Sequence, residues 1–418
     1  MILIFLEENG MNHSWRKGKR VAIVGAGPGG VSAALALIRS GFDVRIYERM
    51  PEPKPLGGAV LLSTPVLAIL RHYGIDIHNF GSYTVTEFGN SKGKLRATLP
   101  FNREVERSFG IPGWHYGVLR ASAFARMLEL LPGGILEAGH SFASYSETES
   151  DIRIEFENHA PVEADILIGA DGVHSKVSRQ AFGDPELFHA GVRVWLAWCD
   201  YFDGLPPNTG RISHSRTYQA SYFPMLHDGR PGFEWWVVEP SSDKAPVPAD
   251  AKAHVSNIVR QFADPMSRFL DRTDFSTQMF RWEVYNRPSL KSWSSGRVVC
   301  LGDAVHPVSP YAAYGMGMAI EDGYFLAKFL ANRDLSQTEQ VSQAFRQYEM
   351  QRVDYCNHHV EFARTLGKVF HHLPAPLAFI RDLVYDHTPL LQKTLSKDYL
   401  ADAEKASLAL KELHVNSA

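Results

Sequence analysis

The chain has 418 residues, 45% of them hydrophobic and 21% charged, with a formal net charge of −3. That composition suits a globular protein of two or three domains with a large core, and the interspersed charges exclude a nucleic-acid-binding or strongly basic membrane-binding face. The three cysteines, Cys199, Cys300 and Cys356, are widely spaced with no C-x-x-C pair, which excludes a disulfide framework, a zinc site and a redox dithiol. No metal site is expected. Met1–Leu6 is apolar but is followed at once by Glu7 and Glu8, too short for a signal peptide or an integral membrane segment, so a cytoplasmic chain is expected. The region before Arg16 reads as an extended start without assigned function.

The first strong element is Val21–Val24 running into Gly25-Ala26-Gly27-Pro28-Gly29-Gly30. Val31, Ala34, Leu35 and Ile38 then recur at helical spacing until Gly41. This is a strand, a tight turn and a helix carrying G-x-G-x-x-G. Gly25 permits the turn, Gly27 admits a pyrophosphate, Gly30 lets helix and strand pack closely, and Pro28 suits the first helical turn. A second strand, Val44–Tyr47, delivers Glu48, whose distance beyond Gly30 suits a carboxylate on an adenosine ribose.

Pro51–Gly58 is a loop by composition, and Pro65, Val66, Ala68, Ile69 and Leu70 predict a helix ending near Gly74. Arg120 opens another amphipathic helix, with Phe124, Met127, Leu128 and Leu130, that stops at Pro132-Gly133-Gly134. Asp165–Gly169 is a buried-type strand with Asp171-Gly172 at its end, where a carboxylate can accept ribose or ribityl hydroxyl protons. From about Gly183 to Pro288 the texture becomes aromatic and β-rich, in Val192–Cys199, Thr217–Phe223, Phe233–Val238 and Phe275–Tyr285. Arg297–Leu301 then restores a buried strand, with Cys300 as core, ending at Gly302-Asp303, and from about Glu339 the chain is helical. No internal repeat is visible.

The third stretch continues through His306-Pro307, Pro310, Gly315-Met316-Gly317 and Glu321-Asp322. With it, nearly the whole chain resembles the FAD-dependent aromatic hydroxylases, the single-component flavoprotein monooxygenases typified by para-hydroxybenzoate hydroxylase. The resemblance implies an α/β fold: a Rossmann-like FAD-binding domain (17–82, 115–182 and 288–338), a discontinuous antiparallel β-sheet substrate domain (83–114 and 183–287), and C-terminal helices (339–418). It implies FAD, with NADH or NADPH as transient electron donor and O2 as co-substrate. It assigns Gly25, Gly27, Gly30, Glu48 and Arg49 to the ADP half, Arg120 to the ribityl–pyrophosphate region, Asp303 to a ribityl hydroxyl, and Asp171 and Gly172 to FAD. Pro310, Gly315, Met316 and Gly317 would bring a helix N-terminus to the flavin edge. The chain departs from the family pattern at Ala313–Gly317, at Gly57-Gly58-Ala59, and at Ser178, where the family's arginine falls one place later as Arg179.

The implied activity inserts one oxygen atom from O2 into a small aromatic or N-heteroaromatic substrate via a flavin hydroperoxide, by a monomer or homodimer. Such chemistry needs a dry aromatic pocket, for which Trp195, Tyr222, Phe223 and Trp235 are candidates. Arg193, Arg211, His214 and Arg216 are candidate anchors for an acidic or phenolic substrate. Tyr314 and Tyr222 are candidate catalytic residues, and His306 is either a third or a structural hydrogen-bonder. Two alternatives share the fold: a flavin-dependent halogenase, whose Gly-Trp-x-Trp-x-Ile-Pro segment is only partly echoed by Gly232–Pro240, and a non-catalytic FAD-fold escort protein.

Overall fold

Arg20–Val24, mostly apolar and wholly buried, is an inner strand of a six-stranded sheet in the computed structural model, which describes residues 15–53, 57–309 and 315–415. Across that sheet the order is Ser294–Ser295, Val298–Cys300, Ile166–Gly169, Arg20–Val24, Asp43–Glu48 and Leu136–Ala138, all parallel but the first. The register sets Val24 beside both Gly169 and Tyr47, and Gly169 beside Cys300. The three glycine-bearing stretches therefore end abreast at the carboxyl edge, where open α/β sheets bind ligands.

Two helices approach this edge, Pro28–Arg39 and Gly315–Leu330. They cross where neither can carry a larger side chain. A Cβ on Gly323 would lie 2.4 Å from the Ala33 nitrogen, and one on Gly29 would lie 2.6 Å from Leu301 Cδ1. Ser32 Oγ donates to the Ile320 carbonyl at 2.7 Å, which fixes the crossing.

The second sheet runs Met279–Asn286, Phe188–Asp200, Arg230–Pro240, Gln219–His227, Thr209–His214, Ser82–Asn90, His115–Leu119 and Ala59–Ser63, with Leu95–Thr98 beside Ser82–Asn90. Most pairs are antiparallel, while Thr209–His214 runs parallel to Ser82–Asn90. One boundary expectation is corrected here. Ala59–Ser63 and His115–Leu119, assigned from sequence to the first domain, pair in the second sheet. A short apolar strand does not announce which sheet it will join. A further three-stranded sheet, Ser141–Glu147, Ile152–Glu157 and His159–Ala164, was not expected from sequence; it fills the crossover before Ile166 and buries Phe142, Ile152, Ile154 and Phe156.

One face of the second sheet is closed by Ala251–Val259 and Met266–Leu270, through Val255, Ile258 and Phe269. At the far end of the other face, Ala375–His387 and Leu390–Ala409 pack on Leu95–Thr98. The 34-residue helix Thr338–His371, about 51 Å long at 1.5 Å per residue, packs on Gly315–Leu330 and reaches the second sheet, where His371 Nδ1 meets the Thr217 carbonyl. No helix among the described residues is long and apolar enough to cross a membrane.

Beneath the carboxyl edge lies a wholly buried charge network. Asp322 Oδ2 accepts from the Gly302 backbone N–H at 3.0 Å and lies 2.5 Å from His306 Nε2, while Oδ1 accepts from Arg352 Nε at 2.7 Å. Glu321 meets Arg352 Nη1 at 2.9 Å. Burial alone would raise the Asp322 carboxyl, but His306 and Arg352 bring it down to about 2. Burial likewise opposes the charge on His306, and its contacts with Cys356 and Asp322 raise it well above the usual imidazole range. Asp322→Ala leaves two buried cations short of a partner and is expected to cost about 3–5 kcal/mol in urea unfolding; a loss below about 1 kcal/mol would contradict the weight placed on this network.

Candidate active site

The three glycines of the first turn do different work. Gly25 has φ +106°, and a Cβ there would lie 2.3 Å from the Ala170 carbonyl oxygen. A Cβ on Gly30 would lie 2.1 Å from the Gly25 oxygen. Gly27 caps the helix Pro28–Arg39, and a Cβ there would meet nothing within 4 Å. Two glycines are therefore demanded by the chain itself, while the third leaves open space over a helix N-terminus, which favours an anion. Glu48 stands beside this turn, its Oε2 accepting from Ala26 N–H and its Oε1 from Met50 N–H, each at 2.9 Å. Lone pairs remain on both oxygens for hydroxyl donors. Arg49 is exposed next to it.

At the seam between the sheets, Arg120 opens the helix Arg120–Leu128, and its backbone N–H donates to the Gly58 carbonyl at 3.2 Å. Its Nε is buried without a hydrogen-bond partner. Asp303 is exposed to the cleft, and none of its hydrogen bonds among the described residues uses the carboxylate. Surrounding protein nevertheless desolvates and raises that carboxyl, opposed by His306, Arg120 and Arg287. An unsatisfied guanidinium and a free carboxylate facing one cleft form a donor–acceptor set suited to phosphate and hydroxyl groups. The helix Gly315–Leu330 begins here, with Met316 and Gly317 buried behind its first residue.

Asp171 is placed differently from the sequence expectation. Its carboxylate accepts from Ser175 Oγ and from the backbone N–H groups of Lys176 at 2.8 Å and Val177 at 3.3 Å, so it holds the start of the helix Lys176–Phe182. Gly172, at φ +79°, makes the turn between them. Arg287 was missed from sequence. Its guanidinium donates to the Val173 carbonyl at 2.7 Å and the Ala304 carbonyl at 2.9 Å, tying the second motif to the third. Its only sequence signal is its place before Pro288, where the chain returns to the first sheet.

The faces of the second sheet correct the pocket expectation. Trp195, Tyr222 and Trp235 point away from the seam: Trp195 Nε1 donates to Glu239 at 2.8 Å, Trp235 Nε1 to Thr273 at 2.9 Å, and the Tyr222 ring lies 5.1 Å from that of Phe269. Adjacent strand residues face opposite sides, so Tyr222 and Phe223 could not both line one pocket. Phe223 is on the seam face, paired across strands with Glu234, which pairs in turn with Trp198. Trp198, Trp236 and Trp282, all half-buried, share this face. A Cβ on Gly57 would lie 2.7 Å from the Trp282 ring, which brings this wall within reach of Arg120.

The proposed anchors are engaged elsewhere. Arg193 donates to Glu283 at 2.6 Å, Arg211 lies 3.5 Å from Glu87, and Arg216 sits over the Phe379 ring. His214 is stacked on Phe370 and bonded to Gln219, and burial holds its pKa well below the usual range. His306 is buried and bonded to Asp322, as the structural hydrogen-bonder of the two readings would be. Pro310 and Tyr314 lie outside the described residues.

Glu234, unremarked from sequence, is the unusual group on the seam face. It has no exposure; its Oε2 accepts from the Ala59 N–H at 2.8 Å, and its Oε1 has no partner. A Cβ on Gly58 would lie 2.1 Å from Oε1, so only glycine admits this carboxyl. Burial pushes it well above its usual 4.5, against the one backbone hydrogen bond.

Comparison with known proteins agrees with this geometry. The profile of a family described as FAD binding domain matches residues 19–363. The chain is 28% identical over 377 residues to 6-hydroxynicotinate 3-monooxygenase of Pseudomonas fluorescens, covering 81% of this chain and 91% of that one. It is 29% identical over 391 residues to 3-hydroxybenzoate 6-hydroxylase of Polaromonas naphthalenivorans, covering 88% and 92%. Among solved structures, HpxO of Klebsiella pneumoniae complexed with FAD and uric acid is similar in fold, with a TM-score of 0.78 at 22% identity, covering 94% and 98%.

Two predictions separate the roles of these residues. Gly30→Ala is expected to destabilise the chain by about 1–3 kcal/mol through overpacking, whereas Gly27→Ala should leave the unfolding midpoint of the ligand-free chain unchanged and weaken dinucleotide retention on dialysis. Equal destabilisation by both would refute the distinction. For Glu234, the raised native pKa means that the unfolded chain ionises first as pH rises above 4.5, so stability is lost from there upward. The midpoint of Glu234→Gln relative to the natural chain should therefore climb as pH rises above 4.5, and a difference that does not change with pH would count against this burial effect.

Proposed function

Because this chain belongs to the family of FAD binding domains, we infer that it is an FAD- and NAD(P)H-dependent monooxygenase that adds one oxygen atom from O2 to a small aromatic or N-heteroaromatic ring. The observation that carries the reading is the seam itself. It has an open cradle at Gly27, a buried Arg120 Nε without a partner, an exposed Asp303 whose carboxylate enters no hydrogen bond among the described residues, and the half-buried rings of Trp198, Trp236 and Trp282.

Those residues fit FAD. Gly27 and the helix behind it would take the pyrophosphate, Glu48 the adenosine ribose, Arg120 the phosphate and ribityl region, and Asp303 a ribityl hydroxyl. When bound, FAD supplies the electron transfer from NAD(P)H and the activation of O2. The chain's own part is to position and to keep dry. Gly315 starts a helix whose N-terminal amides favour negative charge at the seam. Trp198, Phe223, Trp236 and Trp282 exclude water and offer ring faces against which an aromatic substrate can stack. Arg287 holds the two motif loops in register without touching the reacting atoms. A cytoplasmic enzyme working as a monomer or homodimer, with no nucleic-acid partner, agrees with three buried, unpaired cysteines and a near-neutral charge.

The purified chain should be yellow, and its oxidation of NADH or NADPH under air should accelerate with one member of a panel of phenols, anilines, indoles, quinolones and hydroxypyridines. The product should be heavier by one oxygen atom and carry label from isotopically labelled O2. A yellow protein that oxidises neither nicotinamide, or that modifies its substrate only when given reduced flavin and halide, overturns the reading.

A further inference from the structure

The helix Ala375–His387 is docked with its polarity reversed. A surface helix ordinarily turns an apolar stripe to the core and its charges to water. Here the charged side chains point inward. Arg381 is buried and donates to the carbonyls of Val369 at 2.8 Å and Ser215 at 3.2 Å, while Asp386 and Asp382 meet Arg96 at 2.7 and 3.2 Å. The outward face is carried by Leu377, Phe379, Ile380 and Leu383, at three- and four-residue spacing and each at least half exposed. It continues across the turn to Leu390, exposed to the same degree. The other exposed large apolar side chains are scattered from Met50 to Val415, so this concentration on one helix marks an interaction site.

The margin of this face is cationic. Arg216 stands over the Phe379 ring at 5.1 Å, next to the Ser215 carbonyl that Arg381 holds. Lys393 and Lys397 share the exposed side of the following helix with Leu390. All three are exposed and enter no ion pair among the described residues. The carboxylates between Ala375 and Lys397 are those of Asp382 and Asp386, both engaged by Arg96.

We propose that this face seats the protein on an anionic lipid bilayer, with Leu377, Phe379, Ile380, Leu383 and Leu390 entering the boundary between headgroups and acyl chains and Arg216, Lys393 and Lys397 meeting lipid phosphates. The attraction comes from apolar area with a few cations at its edge, and so differs from the strongly basic face that the interspersed charges exclude. A second copy of the chain fits less well. Two-fold pairing of the face with itself would set the same three cations against one another. The attachment is peripheral, since no helix among the described residues is long and apolar enough to cross a membrane, and it is independent of the monooxygenase reading.

The test floats the full, FAD-loaded chain with vesicles of phosphatidylcholine alone and of phosphatidylcholine mixed with phosphatidylglycerol, at low and high salt. The mixed vesicles should carry the protein, and salt should weaken but not abolish the binding. Ile380→Glu combined with Leu383→Glu should lower partitioning about tenfold or more and leave the thermal unfolding midpoint unchanged, because both side chains are exposed. Replacing Arg216, Lys393 and Lys397 by Gln should lower binding to the mixed vesicles by a similar factor and leave the weaker binding to phosphatidylcholine as it was. Failure to float with either vesicle, or binding that the Ile380 and Leu383 changes do not reduce, overturns the inference. Equal binding to both vesicles overturns the part given to the cations. A dimer in solution that Ile380→Glu with Leu383→Glu dissolves, without vesicle binding, overturns the lipid assignment in favour of a second copy.

Discussion

Asp322 accepts from the Gly302 backbone, from His306 and from Arg352, and so binds together three pieces of chain that would otherwise pack independently. Gly302 carries Asp303 to the cleft, Asp322 itself belongs to the helix that starts at Gly315, and Arg352 lies on the long helix Thr338–His371. A carboxylate without exposure is tolerable only with its charge matched, and His306, Arg352 and Glu321 close the balance at two cations and two anions. The geometry of the cleft floor depends on this arrangement. The strand Val298–Cys300 is held abreast of the other two by sheet register, and Asp322 fixes the Gly302 turn that follows it.

The second constraint is steric. Gly29 and Gly323 let two helices cross closely enough that both N-termini open on the same edge of the parallel sheet. Gly57 and Gly58 play the matching part on the other side, where a bare backbone allows Trp282 and Glu234 to press against the strand that leads into the second sheet. The seam is thus built from contacts that side chains would forbid, and its wall is aromatic because the helices Ala251–Val259 and Met266–Leu270 take up the opposite face. The second sheet serves as a partition: its paired charges, Arg193, Glu239 and Glu283, lie on the side away from the cofactor cleft.

The nucleotide half was legible because its signals are local. In Gly25, Gly27, Gly30 and Glu48 the spacing along the chain already encodes strand, turn, helix and strand, and no distant contact can alter that order. The same holds for the helices opening at Arg120 and beyond Glu339. The substrate half was only partly legible. Alternation in Trp195–Trp198 and Tyr222–Phe223 shows that two faces exist but not which one meets the cofactor. Ala59–Ser63 and His115–Leu119 joined the second sheet through pairings distant in sequence, and Arg287 and Glu234 became conspicuous only when their surroundings were known.

The amino-acid sequence by itself determined the strand, turn and helix around Gly25, Gly27 and Gly30 and the second strand ending at Glu48, since these follow from residue types at short fixed intervals, and through its resemblance it implied the family. Tertiary structure alone decided that Asp171 caps a helix, that His306 balances a buried charge, and that Trp198, Trp236 and Glu234 rather than Trp195, Tyr222 and Trp235 face the seam. The reason is that a side chain's role depends on what lies across from it: the partners of Glu234 and Arg287, Ala59 and Val173, come from more than a hundred residues away, while Asp171 and His306 are held by Lys176 and Asp322, five and sixteen residues on, in a geometry that only the folded loop sets.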